Sequence, residues 1–412
     1  MDKVAPSQSI PPPLPSARPG VRLVPLDGLR GIAALVVFAH HAMALLYGPL
    51  AGISQHRWPA RPALALAALQ HLPIGWMFNG AFAVSFFFVL SGFVLTLAVG
   101  AQPEAPRIAR LMTYRILRLS PLVIIATLLG YALYEPGVHS LDMLRCVSGN
   151  DSGAYIAPTL AAHHGFLQAV RQLGYDIWRG ARPDALFAPP LWSIGVELQG
   201  SLLVYLLAVA FGRAHRRSAK YLVGVPIGLC LVGPAALCFL AGMWIAESSR
   251  EDGVVLKVRD VTLSMLLGGV ALWASVHPWD RHLWLPLPFN PPELLDTCIG
   301  AACSVALIAA GLQLPGLRRA LESGPIKFLG HASYGLYVVH VPLLYALVGP
   351  LFSLLRAHAG FHAAAIGATS IILALSLVSG ALLVTYVDTP LSHLSKKWVT
   401  RWLDAREPAR PA

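Results

Sequence analysis

The first long apolar stretch of the sequence contains four ionisable side chains, those of Asp27, Arg30, His40 and His41. On an α-helix, Asp27 and Arg30 lie three residues apart and share one face. Arg30 and His41 lie eleven residues apart, which is three turns plus about 20°, so they share that face too, roughly 16 Å apart along the axis. His40 points about 80° away from Arg30. Histidine is the usual general base near neutral pH, so the spacing indicates base chemistry by His41.

Structural roles are the alternative for these side chains. Arg30 would anchor the cytoplasmic end of the helix, and His41 would be a neutral histidine that hydrogen-bonds to a neighbouring helix. An ionisable residue deep in a membrane is costly, however, and a functional site is the default hypothesis there.

Two further pairs have helical spacing and reactive or charged side chains. Arg115 and Arg118 are three residues apart and could hold the phosphates of a coenzyme A (CoA) thioester, or simply anchor a helix at the cytoplasmic boundary. Ser193 and Glu197 are four apart. The carboxylate could orient a histidine, accept a hydrogen bond from a sugar hydroxyl or pair with an arginine, and the alternative is a helix cap.

Tyr337 and His340 share a face of a late apolar helix, and Tyr334 lies one turn earlier. Their hydroxyls and imidazole could line a path for an acyl group. The alternative is hydrogen bonding between helices, which polar residues in membrane bundles routinely provide.

The composition shows what must position these residues. Of the 412 residues, 56% are hydrophobic and 12% are charged, and the mean hydropathy is +0.62. Soluble domains carry about 25% charged residues. A chain this apolar indicates an all-α integral membrane protein in contact with lipid.

A membrane span needs about 20 mostly apolar residues. With the N-terminus inside, the basic loops after the second and fourth candidate spans are cytoplasmic, as the positive-inside rule requires. The basic segments after residue 247 are also cytoplasmic only if 221–247 crosses the membrane twice. As a helix, 221–247 would be roughly 40 Å long, which is short for two spans. Pro226 and the Gly233–Pro234 pair suit a broken hairpin there, which gives about ten transmembrane helices with both ends cytoplasmic. The candidates are 26–47, 76–99, 119–135, 191–211, 221–247, 259–277, 294–313, 327–352 and 361–387.

The remaining segments have distinct compositions. Residues 1–22 are Pro-rich and predict a disordered cytoplasmic tail, and 391–412 predict a basic cytoplasmic tail after a transmembrane domain spanning 23–390. Residues 136–190 predict a long extracytoplasmic loop, which either covers or binds a substrate or is an ordinary surface loop.

Several classes of protein and site are disfavoured. The net charge of +11 lies in short loops without interleaved aromatic residues, so we expect no nucleic-acid partner. The five cysteines lack metal-ligand spacing, so neither a structural disulfide nor a metal site is expected. The first apolar run is too long and too charged for a cleaved signal peptide.

Six stretches resemble, in order, the signatures of the membrane-bound acyltransferase 3 family, which includes relatives of the bacterial O-antigen and peptidoglycan O-acetylases. In that family an arginine is followed after ten residues by an essential histidine, and Arg30 and His41 match this spacing whereas His40 does not. The stretches are LDGLRGIAALVVFAHH (26–41), FFFVLSGFVLT (86–96), RILRLSP (115–121), PPLWSIGVELQGSLLVY (189–205), ASYGLYVVHVPLL (332–344) and YVDTP (386–390).

The resemblance implies an O-acyltransferase of the bacterial inner membrane. It would move an acyl group, most simply acetyl, from cytoplasmic acetyl-CoA or another acyl-CoA to a hydroxyl of an envelope glycan, a lipid-linked glycan or an exported glycan. Acyl-CoA is then a donor substrate, and no permanently bound cofactor is implied. The implied roles are catalysis for His41, Arg30 and Glu197, donor binding for Arg115 and Arg118, and lining of the substrate path for Ser193, Tyr337, His340 and Asp27.

The sequence departs from the family pattern at several points. GVELQG stands where the family usually has SVEEQF, and Asp388 stands where a glutamate is common. No fused periplasmic domain is expected, so the membrane part would act alone. The rival hypothesis is a transporter or flippase for a polar lipid or glycolipid, which also places charges at the midplane, but the sequence shows no inverted repeat.

Overall fold

The computed structural model describes residues 23–47, 77–100, 104–134, 165–212, 217–251 and 292–404. Within these ranges the regular secondary structure is entirely helical, as the apolar composition predicts. The α-helices of the described ranges are α1 (Val24–Tyr47), α2 (Gly80–Val99), α3 (Ala105–Tyr134), α4 (Phe166–Arg171), α5 (Trp192–Phe211), α6 (Arg217–Leu231), α7 (Ala236–Glu251), α8 (Pro292–Gln313), α9 (Pro315–Leu321), α10 (Gly324–Arg356), α11 (Phe361–Leu383) and α12 (Thr389–Asp404).

Seven helical stretches of the described residues are long and apolar enough to cross a membrane, by length and composition. They confirm a multi-pass membrane protein, whereas the expected count of about ten crossings is not confirmed. The candidate span 259–277 lies outside the described residues. The seven stretches are Val24–Tyr47, Gly80–Val99, Ala105–Tyr134, Pro189–Phe211, Leu294–Gln313, Gly324–Arg356 and Phe361–Trp402.

The predicted break in 221–247 is confirmed. Helices α6 and α7 are separated by a turn in which Gly233 has a φ of 76°, a backbone conformation that favours glycine. The two helices are antiparallel, because Lys220 Nζ near the start of α6 lies 2.5 Å from Glu247 Oε1 near the end of α7. Each helix is only about 23 Å long, short of the roughly 30 Å hydrocarbon core. This length explains why the hairpin does not count as two full spans.

Helix α10 lies at the centre of the bundle between α1 and α11. Its first half runs parallel to α1, with Gly330 against the backbone of Asp27, where an added Cβ would lie 2.5 Å from the Asp27 carbonyl oxygen. Gly335 approaches Gly380 of α11 even more closely, since an added Cβ would lie 2.1 Å from the Gly380 carbonyl oxygen. Glycine therefore permits α10 to touch both neighbours through their backbones. We call the end of the bundle that holds Asp27, Arg30 and Gly330 the basic end.

Helix α11 does not stop at the predicted end of the last span. It continues through a π-helical turn, Val384–Asp388, into α12. At the basic end α12 packs beside α3, where the hydroxyls of Tyr114 and Ser392 are 3.2 Å apart. The continuous helical stretch is roughly twice as long as a membrane core requires. The cytoplasmic location of 391–412 remains a prediction.

The described part of the long loop, residues 165–190, packs into the bundle. Phe187 is 1% exposed, and its backbone contacts Gly130 of α3. Two short 3₁₀ turns, Pro183–Ala185 and Pro189–Leu191, lead directly into α5. The loop thus fixes the start of α5, the helix that carries Ser193 and Glu197. Residues 136–164 lie outside the described ranges.

Candidate active site

His41 and His340 form a direct pair inside the bundle. His340 Nε2 lies 3.2 Å from His41 Nδ1, and the ring centroids are 5.1 Å apart. His340 is completely buried, with 0% exposure, whereas His41 is partly exposed. Helices α1 and α10 position the two rings, because they run side by side in the same direction and place His41 and His340 at the same height in the bundle.

Backbone carbonyls determine which nitrogens of the pair carry protons. His340 Nδ1 lies 3.1 Å from the Leu336 oxygen and 2.8 Å from the Tyr337 oxygen, so it must donate to them. His340 Nε2 is then an acceptor in the neutral ring. His41 Nδ1 lies 2.9 Å from the Val37 oxygen, so its proton is shared between that carbonyl and His340. This assignment leaves the lone pair of His41 on Nε2, which has no hydrogen-bond partner among the described residues.

Two hydroxyl groups lie next to the histidine pair, that of Tyr337 on α10 and that of Ser193 on α5. The Tyr337 ring centroid lies 6.0 Å from that of His340. The Tyr337 hydroxyl is 2.8 Å from Ser193 Oγ, and Ser193 Oγ donates to the Pro190 oxygen at 3.0 Å. The predicted substrate-path residues Ser193, Tyr337 and His340 are therefore brought together beside His41.

Glu197 lies in a separate cluster with Arg115. Its Oε1 forms an ion pair with the Arg115 guanidinium and accepts a hydrogen bond from Ser91. The Arg115 and Glu197 side chains are 18% and 15% exposed, and they join α3 to α5. Pairing with an arginine is one of the three roles predicted for Glu197.

Arg30 remains at the basic end, far from His41 along α1. Its Nη2 lies 3.4 Å from Asp27 Oδ1. Its guanidinium also donates to Ser333 Oγ at 3.0 Å and to the Gly330 oxygen at 3.2 Å, both on α10. Arg30 and Asp27 thus fix the register of α1 against α10, which is the register that pairs His41 with His340.

Arg118 differs from Arg115 in its surroundings. It is exposed, and within the described ranges it makes no hydrogen bond or ion pair. Arg118 lies one turn of α3 away from Arg115, which is paired with Glu197. Of the two arginines, only Arg118 can bind an anion without first breaking a contact.

His40 has a different function from His41. Its Nδ1 donates to the Phe78 oxygen at 2.9 Å, and its ring fills the space beside Gly80 at the start of α2. His40 therefore holds the entry of α2 against α1.

Sequence reasoning did not identify Ser91 or Ser333 as members of these clusters. Ser91 and its neighbour Gly92 are small residues, which are typical of packing between membrane helices, and Ser333 carries no spacing signal of its own. Their partners are visible only when distant helices are placed side by side. Among the described residues, no group of three His, Cys, Asp or Glu side chains could hold a metal ion.

Comparison with known proteins shows the family of the chain. The acyltransferase 3 family model, described as an acyltransferase domain, matches residues 24–387, which include His41, Glu197 and His340. The chain belongs to the acyltransferase 3 family. Acyltransferase MdmB of Streptomyces mycarofaciens is 24% identical to it over 421 residues, covering 91% of this chain and 92% of that protein.

Two fungal relatives give the same assignment. Acyltransferase clz18 of Cochliobolus lunatus is 22% identical and covers 92% of this chain and 96% of its own length. O-acetyltransferase PaAT-1 of Phomopsis amygdali is 23% identical and covers 78% of this chain and 72% of its own length. No solved structure matches the chain. This acyltransferase 3 protein is therefore a membrane-bound O-acyltransferase.

Proposed function

We propose that this protein moves an acetyl group from acetyl-CoA to a hydroxyl of an envelope or exported glycan, with His41 as the general base. The observation that carries the proposal is the pair of contacts made by His41 Nδ1, from which its tautomer follows. Its Nδ1–H is committed to Val37 and His340, so Nε2 offers a lone pair to an incoming hydroxyl.

The reaction balances with this single base. His41 Nε2 takes the proton of the acceptor hydroxyl while the oxygen attacks the thioester carbonyl. This attack forms the new C–O bond and gives a tetrahedral intermediate. Collapse of the intermediate breaks the C–S bond. The departing thiolate takes the proton from His41 Nε2, which leaves an O-acetyl ester, free CoA and a neutral histidine.

His340 acts through His41 as a positioning residue. When His41 becomes an imidazolium, its Nδ1–H donates to Val37 and to His340 Nε2, and hydrogen bonds to a charged donor are stronger than neutral ones. The transition state, in which positive charge develops on His41, is therefore stabilised more than the ground state. Histidine here takes the place of the carboxylate that orients the base in many triads.

The length of the donor fits the separation between the basic end and His41. Arg30 and His41 are roughly 16 Å apart along α1. The pantetheine arm has about 13 bonds between phosphorus and sulphur, and at the reach of a polypeptide backbone these extend about 15 Å. Phosphates held by Arg118 at the basic end would place the thioester at His41.

Arg115 and Glu197 have a different function in this account. Because Arg115 is engaged with Glu197, we assign the donor phosphates chiefly to Arg118. Glu197 would hold Arg115 and the α3–α5 contact and so maintain the shape of the path beside Tyr337. We assign the basic end to the cytoplasmic side of a bacterial inner membrane, the side of the donor, and the positive-inside pattern supports this assignment.

The choice of acetyl and of a hydroxyl acceptor is supported by the printed name of the relative PaAT-1, an O-acetyltransferase. A glycan acceptor would reach His41 from the end of the bundle opposite the basic end. The Ser193 and Tyr337 hydroxyls lie next to the histidine pair and suit a polyhydroxylated substrate.

The test is acetyl transfer in isolated membranes supplied with acetyl-CoA labelled in the acetyl group. Wild-type protein, His41→Ala and the neighbouring control His40→Ala would be compared by counting label in the glycan fraction. We expect label with wild type and His40→Ala and at least a hundred-fold less with His41→Ala. No label with wild type would refute the donor or the acceptor, and equal label with His41→Ala would refute the base.

A further inference from the structure

A second polar site lies at the basic end around Asp388, the last residue of the π-helical turn after α11. Its side chain is 7% exposed, and Oδ1 has no hydrogen-bond partner in the part of the chain that the structure describes. A buried carboxylate oxygen without a donor is costly. Such an oxygen normally takes a hydrogen bond from a bound molecule or water.

Basic side chains of three other helices act electrostatically on this carboxylate. They belong to Arg118 on α3, Arg30 on α1 and His331 on α10. His331 is itself held by Thr385 of the π-helical turn, at 3.0 Å. None of the three forms an ion pair with Asp388 within the described ranges, so they approach it without occupying Oδ1.

This arrangement recognises a particular chemistry. A ligand that fits must carry an anionic group for Arg118 and, close beside it, an O–H or N–H donor for Asp388. An isolated phosphate would meet the first requirement and be repelled by the carboxylate. In a CoA thioester the pantoyl hydroxyl follows directly after the diphosphate, which supplies both features in the required order.

Building on the acyl-CoA donor proposed above, we propose that Asp388 Oδ1 accepts a hydrogen bond from the pantoyl hydroxyl while Arg118 binds the adjacent phosphate. Asp388 is then a specificity-determining residue that selects pantetheine-bearing acyl donors. The remainder of the pantetheine arm extends along α1 toward His41, which is the direction that the proposed transfer requires.

The test compares three acetyl donors on the purified full-length protein. Acetyl-CoA has both the diphosphate and the pantoyl hydroxyl, acetyl-pantetheine has only the hydroxyl, and the acetyl thioester of N-acetylcysteamine has neither. For Asp388→Leu, which is nearly isosteric, we expect kcat/KM to fall about ten- to hundred-fold with the first two donors. We expect no change with the short thioester, whose turnover shows that the variant is folded.

Matched variants distinguish the contributions of charge, shape and hydrogen bonding to donor binding at this site. Asp388→Asn keeps an acceptor oxygen and should lose less than Asp388→Leu. Arg118→Gln should weaken acetyl-CoA and leave acetyl-pantetheine unchanged. Glu322→Gln, which removes another carboxylate near the basic end that pairs with Arg318, should leave all three donors unchanged.

Two outcomes with Asp388→Leu would overturn the inference. An equal loss with all three donors would show that Asp388 supports the fold, and no loss with any donor would show that it does not touch the arm. Failure of the donor proposal itself is distinguishable, because the wild-type protein would then transfer acetyl from none of the thioesters.

Discussion

Replacing His340 tests how the active-site base is oriented. In His340→Leu the buried ring is lost, and His41 Nδ1–H keeps only the Val37 oxygen as a partner. The 3.2 Å hydrogen bond to His340 Nε2 disappears. His340→Gln is the matched variant, because a glutamine amide oxygen can reach the position of the lost Nε2 and accept from His41.

The expected magnitude follows from the charge on His41. In the ground state the lost bond is neutral and is worth about 0.5–1.5 kcal/mol, whereas against the imidazolium it is worth about 1.5–3 kcal/mol. Only the difference between the two states lowers kcat. A difference of about 1–2 kcal/mol corresponds to a fall in kcat of about five- to thirty-fold.

The assay is steady-state acetyl transfer at saturating acceptor with varied acetyl-CoA. We expect His340→Leu to lower kcat by that factor and to leave the KM for acetyl-CoA within about two-fold, since the proposed phosphate site lies at the other end of the arm. His340→Gln should recover most of the loss. A variant that changes only KM, or His340→Leu with wild-type kcat, would refute the positioning role.

Two further predictions concern stability. Glu197→Gln should destabilise the protein by about 3 kcal/mol in a detergent unfolding assay, because it leaves the Arg115 charge unpaired. The double variant with Arg115→Gln should be less destabilised. Equal stability of the single variant and wild type would contradict this prediction. Gly335→Ala places a Cβ 2.1 Å from the Gly380 oxygen and should abolish the yield of folded protein by size-exclusion chromatography, whereas Gly360→Ala, with nothing within 4 Å, should not. Equal yields would contradict the close α10–α11 contact.

Features that depend on neighbouring residues in the chain could be predicted from the sequence. The family resemblance is confirmed by the family match, and the break at Gly233–Pro234 is confirmed because glycine and proline act on their own local backbone. The placement of His41 deep in the first helix follows from the helical rise alone. Its role as the base remains a prediction.

Pairings between distant helices could not be predicted. The His41–His340 contact joins residues 299 positions apart and depends on the register that Arg30 and the α10 glycines impose. The Arg115–Glu197 pair and the surroundings of Asp388 likewise depend on how α3 packs against α5 and α11. Hydropathy gives no register, because the buried and lipid-facing sides of each helix are both apolar.

The number of full-length spans differs from the number of crossings that the charge pattern predicts, for a physical reason of the same kind. Charge counting required two crossings from 221–247, and the structure has two antiparallel helices there, but each is too short for a full span. A short hairpin returns the chain to the side from which it entered, so it satisfies the positive-inside rule without two helices of full length.

The central claim is that His41 is the base of acetyl transfer. The most direct measurement is kcat of purified His41→Ala at saturating acetyl-CoA and acceptor, with His40→Ala as the neighbouring control. The account predicts a loss of about a hundred-fold or more in kcat, with the KM for acetyl-CoA little changed and His40→Ala near wild type. A His41→Ala protein whose kcat stays within two-fold of wild type (roughly 0.4 kcal/mol in the barrier) would contradict it.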